Sequence, residues 1–172
     1  MSFFFKFLRD RQADRSTGFL EARLEIVDSI QVDLMVSYLT LMDIREKTGE
    51  MLVLKHSSPG AYVLSPEGRI LHTMDRPEDD PQAVGNEILA AEFFEDGIAL
   101  MGSRVIKTYD SAFNLRKTFK VPYGPGGMMF SGYNHLQEAT VGGDKYLTAF
   151  YGAQTDFPSH TPEYYVFRPC GR

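Results

Sequence analysis

A turn-and-strand pattern returning at close to 45 residues constrains this chain more than any other feature. Gly49-Glu50-Met51-Leu52-Val53-Leu54 is answered 46 residues on by Glu95-Asp96-Gly97-Ile98-Ala99-Leu100, and a further 48 on by Gly143-Asp144-Lys145-Tyr146-Leu147-Thr148. Ile70-Leu71-His72-Thr73-Met74 is answered 45 residues on by Leu115-Arg116-Lys117-Thr118-Phe119. A period of roughly 40–50 residues is that of a four-stranded propeller blade. One such sheet exposes two faces and needs a neighbour on each side. The expected fold is therefore all-β, with antiparallel propeller-type blades over about residues 34–74, 87–121 and 128–168. Residues 1–22 form an N-terminal segment ahead of this partial propeller.

The apolar pattern within each unit supports strands. Leu24 and Ile26, then Ile30 and Val32, alternate with Arg23, Glu25, Gln31 and Asp33, the period-two mark of a half-buried strand. "EMLVLKH", "AYVLS" and "ILHTM" are short apolar runs separated by "SSPG" and "PEGR", where proline and glycine set turn geometry. "EDG" at Glu95–Gly97 and "VGGDK" at Val141–Lys145 are hairpin signals. Leu34–Lys47 fits both a helical face (Leu34, Tyr38, Leu41, Ile44) and a strand (Val36, Tyr38, Thr40, Met42), and is read as strand because its surroundings are β. Arg23–Asp33 is expected to fill an outer position in one of the sheets. The third unit shows no fourth strand. The opening "FFFKFL" reads as a frayed terminal segment or a short packed helix, or as the remnant of an export signal.

Bulk composition narrows function by exclusion. The chain has 172 residues, 43% apolar, with a net charge of −5 and no basic run, so it carries no nucleic-acid footprint. No apolar stretch approaches the roughly 18–20 residues of a membrane span. Cys170 is the only cysteine, which rules out a disulfide within the chain.

"EIVDSIQVD", "GEMLVLKHSSPGAYVLSPEGRILHTMD" and "GNEILAAEFFEDGIALMGSRVIKTYDSAFNLRKTF" together resemble the opening half of six-bladed, TolB-like β-propeller proteins, common in Bacteroidetes of the gut. "VLSPEGRIL" and "TYDSAFNLRKTF" follow the family rhythm of strand, small-residue turn and outer strand. The likeness spans about residues 24–167 and rests on structural motifs that other propellers share. It implies a ring of six blades. Three blades leave open end faces, so a second copy completing the ring as a homodimer, or further sequence, is expected. It also implies the cell envelope or periplasm, although no export signal is seen here, and it brings no catalytic residues.

The polar clusters carry little chemistry. His56, His72, His135 and His160 stand at no metal-ligand spacing, so neither a metal nor another cofactor is expected. "DRPEDDPQAVGNE" (Asp75–Glu87) is an acidic connection whose Glu78, Asp79 and Asp80 lack an EF-hand pattern, and it reads as a solvated loop. The glycines of "VPYGPGGMMFSGYNH" (Val121–His135) precede no Walker lysine. "KTG" at Lys47–Gly49 has no S-x-x-K partner, and no G-x-S-x-G occurs. The two connections join successive blades on one face of a ring. Asn86 from the first and Tyr123, Tyr133, Asn134 and His135 from the second are the candidate ligand-binding residues, with aromatic and amide groups suited to a glycan, peptide or protein surface. The expectation is a non-catalytic binding or scaffold module. The alternatives are a glycan lyase or hydrolase with its site in the propeller channel, and a subunit that serves assembly alone.

Overall fold

A computed structural model describes residues 2–11, 23–34, 38–55, 59–121, 135–151 and 163–167. These residues form thirteen strands and no helix. A hairpin of β1 (Ser2–Arg11) and β2 (Arg23–Asp33) comes first. A four-stranded sheet follows, of β3 (Leu39–Arg45), β4 (Glu50–Lys55), β5 (Gly60–Leu64) and β6 (Ile70–Met74). The second sheet holds β7 (Ala90–Phe94), β8 (Gly97–Met101), β9 (Val105–Tyr109) and β10 (Leu115–Lys120). The third holds β11 (His135–Val141), β12 (Asp144–Tyr151) and β13 (Glu163–Phe167). Every pairing is antiparallel, and each sheet is an up-and-down meander in chain order.

Local chemistry explains where the strands turn. Asp110 ends β9 by accepting the amides of Ala112 and Asn114, both at 2.9 Å, and the Asn114 side-chain amide. This turn seats Phe113 at φ 61° with its ring fully buried, edge-on to Tyr109. Gly142 and Gly143, at φ 61° and 88°, make the two-residue turn between β11 and β12. Positive φ at both positions matches the twist of the flanking strands.

Three apolar layers hold the sheets together. Leu52, Leu54, Ala61, Val63 and Met74 of the first sheet pack against Ala91, Ile98, Leu100 and Tyr109 of the second. Ala90, Phe94, Ala99, Met101 and Ile106, on the other face of the second sheet, meet Leu136, Leu147 and Ala149 of the third. Ile30, Val32 and Leu34 cover the remaining face of the first sheet, against Met51, Val53, Tyr62 and Leu64. Residues of β4, β5, β8 and β9 are accordingly buried in near-continuous runs. The sheets approach most closely along their first strands: β3 lies beside β7, and β7 beside β11. Met42 of β3 packs against both inter-sheet layers, so the three first strands converge.

Strand reading succeeds over Leu39–Arg45, where the helical alternative fails, and among the described residues the third sheet holds three strands. Two expectations are corrected. The N-terminal residues are neither frayed nor helical: Ser2–Arg11 is a ten-residue strand in register with β2, as aromatic β-propensity favours. And among the described residues β2 pairs with β1 alone instead of extending a four-stranded sheet.

Candidate functional site

Because the strands alternate in direction, the three sheets share two distinct ends. One carries short turns, at 46–49, 65–69, 95–96, 110–114 and 142–143. The other carries the two sheet-to-sheet connections, from β6 to β7 and from β10 to β11. Asn86, in the first connection, and His135, at the start of β11, both lie at this connection end, and both are exposed. No hydrogen bond joins them among the described residues. Tyr123, Tyr133 and Asn134 lie outside the described residues.

The first connection, residues 75–89, is built rather than loose. Asp80 accepts the Gln82 amide at 2.7 Å and pairs with Arg76 at 3.0 Å. That amide, then Arg76, holds its carboxyl below the usual range. Asp80 is thus engaged in shaping the loop. Lys55 reaches Asp75 at 3.1 Å. Ala83 and Val84 are buried, the latter in the layer between the first two sheets.

Strand β9 supplies the clamp. The ammonium of Lys107 donates to the Pro81 carbonyl at 2.6 Å and the Ala83 carbonyl at 2.5 Å. Between them, the Tyr109 hydroxyl donates to the Gln82 carbonyl at 2.7 Å. Three consecutive carbonyls are therefore held by two side chains of one strand face. Burial shifts the two donors in opposite directions, lowering the Lys107 pKa and raising that of Tyr109. In both cases the neutral form is favoured because low dielectric penalises charge. Beside the clamped loop opens a cleft of about 270 Å³ lined by Pro59, Asp75, Arg76, Pro77, Glu78 and Asn86. Two proline rings give it apolar walls. One guanidinium, two carboxylates and one amide give it hydrogen-bonding groups.

A second polar feature runs along the converging first strands. Asp43 of β3 accepts the Phe93 amide of β7 at 2.8 Å and its own neighbour's, Ile44, at 2.7 Å. Glu92 of β7 accepts the Glu138 amide of β11 at 3.4 Å. Glu138 turns back to accept the Glu95 amide at 2.9 Å and Lys145 at 2.7 Å. Each carboxylate thus links neighbouring sheets through a backbone amide. Burial first, then the Asp43 charge, push the Glu92 carboxyl up to about 7.

Sequence reasoning missed both Lys107 and this row of acids. The signal for the acids was present: Asp43, Glu92 and Glu138 recur at nearly the repeat spacing, three or four residues before each first hairpin turn. Among the described residues no three His, Cys, Asp or Glu side chains are grouped to hold a metal ion, and no helix is long and apolar enough to cross a membrane. Compared with family models, curated proteins and solved structures, the chain matches none.

Proposed function

We propose that this chain is a non-catalytic binding module of β-propeller type, taking a glycan, peptide or protein surface at its connection end. The observation that carries this reading is the cleft beside Asn86, whose loop is fixed by Lys107 and Tyr109. A loop already ordered loses little entropy when a ligand arrives. Prolines flanked by an amide and a guanidinium offer stacking surface and hydrogen bonds together, the mixture that polar ligands need. The resemblance to TolB-like propellers supports the same reading. It extends it to a six-bladed ring completed by a second copy of the chain, in the cell envelope. The exposed Val141 and Val166 of the third sheet are part of the face such a copy would cover.

The test is a titration of labelled protein with glycan and peptide libraries, followed by Arg76→Ala and Asn86→Ala. Binding should weaken about tenfold or more in each variant. A ligand whose affinity is untouched by both substitutions overturns the cleft as its site.

One arrangement favours the alternative of an enzyme in a channel: Asp43, Glu92 and Glu138 converge from three sheets, and burial, then the Asp43 charge, push the Glu92 carboxyl up to about 7. A carboxyl so tuned suits general acid–base work. Against it, both oxygens of Asp43 and of Glu138 already hold amides or Lys145. Glycan turnover abolished by Glu92→Gln would decide for the enzyme.

A further inference from the structure

The row of acids has a physical consequence that goes beyond ligand binding. Glu92 is half-buried on β7, between Asp43 of β3 and Glu138 of β11. Among the described residues, Lys145 and Arg45 on neighbouring strands are committed elsewhere. Lys145 of β12 is bonded to Glu138. Arg45 of β3 lies over the Phe93 ring, donates to the Gly97 carbonyl and pairs with Glu50 of β4. Strand β8, the hydrogen-bonded neighbour of β7, contributes only Gly97, Ile98, Ala99, Leu100 and Met101, none of them charged. The Glu138 amide is the hydrogen-bond donor that reaches Glu92, at a long 3.4 Å.

We propose that the seam between the second and third sheets is a proton-regulated joint, closed when Glu92 is neutral and loosened when Glu92 ionises between Asp43 and Glu138. Neutral Glu92 lets β7 and β11 approach with two carboxylates in the row. Ionised Glu92 makes three, in partly desolvated surroundings where like charges repel strongly. The amide of Glu138 favours the ionised form, but burial and the Asp43 charge outweigh it. The direction follows by linkage. Glu92 holds its proton in the fold up to about 7, whereas in the unfolded chain it loses it near 4.5. The folded state therefore binds more protons through that window, and stability falls as pH rises through it, then levels off. Loosening this joint alters how the third sheet sits against the second without touching the cleft beside the first connection.

The experiment is amide hydrogen exchange with thermal melting, on the wild-type chain and Glu92→Gln, across pH 4.5–8.5. The amide variant keeps an acceptor for Glu138 but cannot ionise. After correction for intrinsic exchange, the Glu95 and Glu138 amides of the wild type should lose protection by on the order of tenfold or more through the window. Amides of β4 and β5 should not, and Glu92→Gln should show no such loss. Should the variant fail to fold, the wild-type Glu92 carboxyl is titrated directly by carbon NMR. A midpoint near 7 supports the joint. A midpoint near 4.5, parallel pH profiles for the two proteins, or an equal loss of protection in all three sheets overturns it.

Discussion

Lys107 shows how one residue fixes a surface. A lysine in the strand "VIKTY" looks at first like a misplaced charge, yet its ammonium replaces water for two loop carbonyls. Lys107→Met keeps the apolar stem and removes both bonds, leaving the Pro81 and Ala83 carbonyls unsatisfied. Stability should drop by about 2–3 kcal/mol, read as a lower denaturation midpoint, with the loop around Asn86 losing exchange protection first. An unchanged midpoint would show that the clamp is not what orders the loop. At this scale the sequence was least legible. Period-two alternation places Lys107 and Tyr109 on one face of β9, but it does not say which backbone that face meets. The acids at Asp43, Glu92 and Glu138 recur at nearly the repeat spacing, but their partners, amides some 45–50 residues away, do not show in the sequence.

Elements were far more legible, because period-two runs and turn chemistry are local. "EMLVLK", "GAYVL", "GIALM" and "VIKTY" all form the strands their patterns announce. The N-terminal strand escaped because "FFFKF" does not alternate, and its pairing with β2 bridges a long connection. The hairpin's contribution is specific: β2 covers the outward face of the first sheet. Gly68 lies directly against β2. It adopts φ +84°, and a Cβ there would run into the Gln31 carbonyl and the Ile30 side chain. Gly68→Ala should therefore cost about 1–3 kcal/mol in backbone conformation, with further loss as β2 is displaced. Fluorescence of a hydrophobic dye should rise as the first sheet is uncovered. A fully stable variant with no dye binding would contradict the placement of β2.

For the whole molecule, the 45-residue repeat foretold the succession of antiparallel sheets, but not what stands beyond the last of them. The first sheet is covered by β2 and the second by its neighbours, while Val141 and Val166 of the third are 65% and 66% exposed. Covering that face with a second copy would be driven by roughly 25 cal/mol per Å² of apolar area removed from water. Sedimentation at micromolar concentration should show a dimer, and Val166→Asp should shift it to monomer. A monomer in the wild type would refute the completed ring while leaving the sheets intact.

The row of acids and the joint proposed on it depend on the first strands of the three sheets converging, and Met42 reports on that convergence directly. Its side chain packs on the layer between the first and second sheets and on the layer between the second and third. In methyl-labelled protein, nuclear Overhauser effects from Met42 should reach methyls of both layers. Contacts confined to one layer would mean that the sheets do not converge, and would contradict the account.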